Sequence, residues 1–267
     1  MQKWEIFEQN ASSFLNTLYP NFKFENIGST DSNAPDIKAF DKEGKHLFNI
    51  EAKFSPAQAG QIVILNNGST FEFSDKSMNK RINSTDSIIE YLNNNYNKYA
   101  EITQSAILIE VDSDHLYSFI EEQYNLKGNQ WIIASSQASS LNPSSVCLIP
   151  TNELRYNFEV SASLRRKKSG TRDAPKKNRE NIEKIISTIC DKYAIETNGK
   201  KTILHGDIGS HPYELLDNLY LSKKGSNKYE IKVRSNTNNI NVMFSLKLKD
   251  GYQFKSKEFS TYLNSFK

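Results

Sequence analysis

The sequence predicts an α/β protein with a C-terminal α+β region, and three observations carry that prediction. An amphipathic helix is followed by three short runs of β-forming residues, so the chain opens with a helix and a strand meander. Helical and buried-strand patterns then alternate, an order that packs helices on a sheet. Beyond "SSQASSLNPSS" the strands become longer and more polar. The expected division is therefore 1–140 for the core and 141–267 for the C-terminal region.

Trp4, Phe7, Ala11, Phe14, Leu15 and Leu18 recur at helical spacing and stop before Pro20. Glu8 lies about 40° around the helix from Trp4 at 100° per residue, on the edge of the apolar face. "FKFENI", "DIKAFD" and "HLFNIEAKF" are strands separated by turn-forming "GSTDSNAP" and "KEGK". "QIVILNNGSTFEF" reads as a hairpin about Asn67-Gly68, and "STDSIIEYLNNNYNKYAEI" as a helix capped by Ser84 or Thr85. "AILIEV" is a buried strand, "SDHLYSFIEEQYNL" a helix ended by Gly128, and "WIIAS" a second buried strand. The C-terminal region holds the polar strand "LRYNFEVSASLR", a basic loop, the helix "PKKNRENIEKIISTICDKYA" and a β-rich tail.

Lys and Arg exceed Asp and Glu by only 34 to 31, so overall charge does not argue for a nucleic-acid partner, and local clustering must. Two cysteines, Cys147 and Cys190, suit a reducing compartment rather than a disulfide framework. The N-terminus lacks a signal peptide's apolar core and no apolar run is long enough to span a bilayer, so the expectation is a soluble, cytoplasmic protein without a membrane role. No "GxxxxGK[ST]" loop occurs, which excludes that class of nucleotide cofactor site.

Side chains alternate across a strand, so in "LFNIEAKF" Phe48, Ile50, Ala52 and Phe54 share one face while Glu51 and Lys53 share the other. Asp36 stands fifteen positions before Glu51. If it opens the strand paired antiparallel with this one, its carboxylate comes near Glu51. Two like charges near apolar surroundings repel unless a cation joins them, and hard oxygen ligands favour Mg²⁺. A lysine beside such a cation can orient or deprotonate a water for attack on a phosphate. The competing reading is a strand edge with solvated charges, and for Glu8 an exposed helix edge.

Pro35-Asp36 followed by Glu51-Ala52-Lys53 resembles the PD-(D/E)xK nuclease superfamily, in particular its type II restriction endonucleases. The resemblance covers roughly residues 1–136. It implies a restriction-endonuclease-like core, a central mixed sheet flanked by helices, with the C-terminal region reading DNA. It further implies Asp36 and Glu51 as metal ligands, Lys53 as the water-activating residue and Glu8 as a helix carboxylate. Some relatives add a Gln in the helix after the Glu-x-Lys strand, where Gln58 and Gln61 stand here. The implied activity is Mg²⁺-dependent cleavage of double-stranded DNA by a homodimer, since one active site cuts one strand. Alternatives are a repair or junction-resolving nuclease of the same fold and a DNA-binding protein that does not cleave.

The segment "RRKKSGTRDAPKKNR" carries eight basic residues, Arg165, Arg166, Lys167, Lys168, Arg172, Lys176, Lys177 and Arg179, against the single acid Asp173. Such a loop suits phosphate contacts and arginine readout of guanine edges, or is a merely solvated surface. A second short motif, Asp207 with Glu230-Ile231-Lys232, lacks the preceding helix and is expected to be coincidental. His205 and His211 lack further ligands at suitable spacing for a metal site.

Overall fold

The computed structural model describes residues 2–27, 34–75, 77–102, 106–166, 171–173, 179–198, 201–210, 213, 215, 219–234 and 239–266. In chain order the elements are α1 (Lys3–Leu18), β1 (Lys23–Asn26), β2 (Ile37–Phe40), β3 (His46–Phe54), β4 (Ala57–Asn66), β5 (Phe71–Phe73), α2 (Asn83–Asn94), α3 (Tyr96–Tyr99) and β6 (Ile107–Ile109). There follow α4 (Ser113–Leu126), β7 (Asn129–Ser135), β8 (Cys147–Pro150), α5 (Leu154–Asn157), β9 (Phe158–Arg166), β10 (Thr171–Asp173) and α6 (Arg179–Ser187). The last are β11 (Tyr193–Asn198), β12 (Lys201–Gly206), β13 (Leu219–Gly225), β14 (Lys228–Arg234), β15 (Asn239–Leu248) and α7 (Ser256–Asn264).

The chain forms two compact units, residues 1–166 with 239–267 and residues 167–238. This division differs from the expected boundary near 140. Strand pairing is the cause: β8 pairs with β7, and β15 lies between β4 and β9, so segments after residue 140 complete the sheets of the first unit.

The first unit's central sheet has the order β1-β2-β3-β7-β8 and is mixed, since β3 and β7 run parallel and the other pairs antiparallel. Alternation in β3 buries Phe48, Ile50 and Ala52 in a core with Phe7, Ala11 and Leu15 of α1 and with Phe259 and Leu263 of α7. On the other side, Ile132 and Ala134 of β7 join a second core built from α2, α4 and a second sheet of order β5-β4-β15-β9-β6. The Asn67-Gly68 turn joins β4 to β5, with Gly68 at φ +91°, which a residue with a Cβ rarely adopts.

Two local expectations are corrected. The helix α2 begins at Asn83 with Ile82 at its N-cap. Thr85 does not cap it from the N-cap position but accepts a 3.3 Å bond from the Ile82 N–H. The segment "AILIEV" forms only the short edge strand β6 of the second sheet, where Ile109 is buried and Leu108, on the opposite face, is 68% exposed.

The second unit is a sheet of order β10-β14-β12-β11, with β13 also paired to β14. Ile182 and Ile186 of α6 pack on Leu204, Leu219, Leu221, Tyr229 and Ile231. Among the described residues no helix is long and apolar enough to cross a membrane.

Candidate active site

The β2–β3 ladder pairs Ile37 with Ile50, so the next step back along β2 brings Asp36 opposite Glu51. Asp36 Oδ2 accepts the Ala52 N–H at 2.9 Å, which ties the carboxylate to the backbone of β3. Lys53 lies two positions beyond Glu51 and shares its face. Its Nζ is 2.6 Å from Glu51 Oε1 and 3.3 Å from Asp36 Oδ2. All three side chains are largely withdrawn from solvent, with Glu51 only 3% exposed. The other oxygen of Glu51, Oε2, accepts from Asn129 Nδ2 at 2.5 Å. Below the lysine, the Tyr124 ring of α4 lies 5.9 Å from Nζ, within reach of a cation–π attraction.

Electrostatics distinguish this cluster from an ordinary ion pair. Burial and then the neighbouring Glu51 push the Asp36 carboxyl above its usual range, against the pull of Lys53. Glu8 rises from 4.5 to about 7, through burial first and then the charge of Asp36, with Glu51 adding to it. Burial alone would lower the Lys53 ammonium, but Asp36 and Glu51 outweigh it and hold its pKa well above the ordinary value. Lys53 is therefore firmly protonated in this state, and one ammonium faces three carboxyl groups. The shortage is of positive charge.

Two buried carboxylates with hard oxygen donors and too little positive charge fit a Mg²⁺ ion, which commonly takes one or two carboxylates and keeps several waters. Among the described residues no group of three or more His, Cys, Asp or Glu side chains is placed to hold a metal ion by itself. Asp36 and Glu51 are the residues that could hold it.

The cluster opens on a cleft of about 420 Å³ where the chain passes from β3 in one sheet to β4 in the other, with Trp4, Glu8, Gln58, Gln61 and Asn79 on its walls. Gln58 and Gln61 lie not on the helix that the resemblance implies but on β4, whose hairpin pattern the sequence shows from Gln61 on. Strict alternation would point residues three apart to opposite faces. Here Gln58 pairs with Ser245 and Gln61 with Met243, two apart on β15, because Ala59 is an extra residue in the ladder. The bulge turns both amides to one face. Gly60 beside it permits a close approach, since a Cβ there would stand 3.0 Å from Asn79 Nδ2.

Of the basic segment, Arg165 and Arg166 end β9, half-buried and exposed respectively. Lys167, Lys168, Lys176 and Lys177 lie outside the described residues, and Arg172 in β10 and Arg179 in α6 are described by backbone only. The second short motif differs in kind from the first. Glu230 lies within 3.5 Å of three ammonium groups, those of Lys232, Lys201 and Lys224, and the hydrogen bond from Lys232 leads in lowering it to about 2. Its charge is already satisfied. Asp207 instead closes a turn by accepting the Gly209 N–H, and His205 meets Glu196 at 3.1 Å; His211 lies outside the described residues.

Asn129 and Tyr124 escaped the sequence reading, because an Asn beside a glycine and a Tyr on an amphipathic helix carry no motif. Trp4, read there only as part of an apolar face, is 48% exposed and stands on the cleft wall.

No protein-family model matches the chain, and no curated protein sequence matches it. Among solved structures, HhaI endonuclease in complex with DNA is similar at 26% identity, over 99% of this chain and 98% of that one, with a TM-score of 0.68. The protein therefore has a restriction-endonuclease-like fold, a central mixed sheet flanked by helices.

Proposed function

We propose that the protein is a Mg²⁺-dependent, site-specific endonuclease that cleaves double-stranded DNA in the manner of type II restriction enzymes. The observation that carries this reading is the buried Asp36–Glu51–Lys53 cluster, short of positive charge, in a fold similar along its whole length to an endonuclease solved with DNA.

In this reading Asp36 and Glu51 hold the ion, which when bound supplies a polarised water and neutralises charge on the scissile phosphate. Lys53, beside the ion, would orient or deprotonate the attacking water. Glu8, whose carboxyl is pushed up to about 7 by burial and the charge of Asp36, holds its proton more readily than an ordinary carboxyl in the empty cleft and would ionise beside a bound cation. Gln58 and Gln61 offer amide donors to the DNA backbone from the cleft wall. Arg165, Arg166 and the basic segment beyond them contact duplex phosphates, and the second unit takes part in reading the sequence. A homodimer supplies the second site needed to cut both strands. The buried, free Cys147 and Cys190 accord with action in the cytoplasm.

The test is incubation of the protein with phage DNA and Mg²⁺, followed by sequencing of the fragment ends. Discrete fragments sharing a terminal sequence are expected. A smear would indicate a nonspecific nuclease, and intact DNA a binding protein that does not cleave.

A further inference from the structure

Asn129 is fully buried, yet its side chain is only half satisfied. Nδ2 donates to Glu51 Oε2 at 2.5 Å, while Oδ1 is buried with no hydrogen-bond partner among the described residues. A buried acceptor left unpaired is costly, so packing alone would favour an apolar residue of similar size here. The backbone is also irregular at this point. In the parallel β3–β7 ladder Asn49 pairs with Asn129 but Ile50 pairs with Trp131, so Gln130 is skipped. Regular alternation would set Asn129 on the face of Trp131, in the core under α1. The skipped residue moves it to the face of Glu51.

We propose that Asn129 is a positioning residue that makes Glu51 a one-oxygen ligand and thereby biases the site toward Mg²⁺ over Ca²⁺. This rests on the endonuclease reading above. The amide's hydrogen bond fixes Oε2 and disfavours its turning to a cation, which leaves Oε1, the oxygen that Lys53 now holds, as the favoured ligand atom. Mg²⁺ is satisfied by single carboxylate oxygens and waters in a tight octahedron, whereas Ca²⁺ takes more oxygens and readily accepts both from one carboxylate. Residues bonded to a metal's ligands alter affinity through the orientation they impose.

The experiment is calorimetric titration of the DNA-free protein with MgCl₂ and with CaCl₂. Asn129→Leu keeps the γ-branched shape and removes the amide; Asn129→Ala removes both. In either variant the preference for Mg²⁺ over Ca²⁺ should fall by about tenfold. Thr151→Val serves as the structural control, because the Thr151 hydroxyl donates to the main-chain carbonyl of Asn129 at 3.1 Å, away from the amide that holds Glu51, and it should leave the ratio unchanged. An equal loss of both affinities in the Asn129 variants, an unchanged ratio, or the same change in Thr151→Val would overturn the proposal. Loss of cooperative melting in both Asn129 variants would make the residue structural and overturn it as well. If the unaltered protein binds neither cation, the endonuclease reading fails; binding with a ratio insensitive to Asn129 sinks only this inference.

Discussion

Lys53 Nζ lies 2.6 Å from Glu51 Oε1, and Glu51 is almost wholly buried. An ammonium and a carboxylate withdrawn from water together are tolerated because each compensates the other, and removing one leaves an uncompensated charge. Lys53→Met should abolish cleavage and cost on the order of 3 kcal/mol in the metal-free protein. Mg²⁺ should then stabilise the variant more than the unaltered protein, because the ion takes over the role of the ammonium. Urea denaturation with and without Mg²⁺ reads both effects, and a variant of unchanged stability would contradict the pairing.

Asp36→Ala and Glu51→Ala should each abolish cleavage while DNA binding in Ca²⁺ persists, because they remove ion ligands and leave phosphate contacts alone. Cleavage by either at the normal rate would remove these residues from the site. Lys232→Ala should cut normally, since Glu230 retains Lys201 and Lys224 and never lacked positive charge.

Glu8 binds its proton more tightly in the folded protein, at about 7, than its ordinary 4.5. Between those values the folded state retains a proton that the unfolded state has released, so this group's contribution falls as pH rises through the window. Glu8→Gln removes the penalty. The metal-free variant should match the unaltered protein near pH 4 and exceed it at pH 8 by about 1 kcal/mol, a figure reduced for partial solvent screening. Denaturation at the two pH values checks this, and parallel pH profiles would refute it.

Replacing Arg165, Arg166, Lys167 and Lys168 with Ala should weaken DNA binding and reduce the slope of log affinity against log salt by about 0.9 for each phosphate no longer neutralised. An arginine that reads a base would show itself differently, as a single replacement costing roughly 1 to 3 kcal/mol and relaxing preference at one position. Titration of labelled duplex in Ca²⁺ at several salt concentrations separates these. An unchanged slope would mean that these four residues are only solvated.

Phe259 of α7 is fully buried, with ring centroids 4.7 Å from Trp131 and 5.0 Å from Tyr19. Phe259→Ala should cost about 3 to 5 kcal/mol through the cavity it leaves. A loss under 1 kcal/mol by denaturation would argue against α7 as a core element.

The helix, the strand meander and the face shared by Glu51 and Lys53 were legible in the sequence, because alternation and turn chemistry are local. The short "DKEGK" connection likewise brought Asp36 opposite Glu51. The rest emerged only from the folded chain. Asn129 reaches Glu51 through a skipped residue in a parallel ladder, and Gln58 and Gln61 share a face through an extra one in β4. Both shifts depend on a partner strand distant in sequence: β3 for Asn129, and β15, nearly two hundred residues away, for the glutamines. The same holds for β15 and α7, whose polar and aromatic patterns suit either unit until pairing and packing assign them to the first. Periodicity specifies which residues share a face within one strand. Register between strands is set by long-range pairing and packing, which one strand's pattern does not contain.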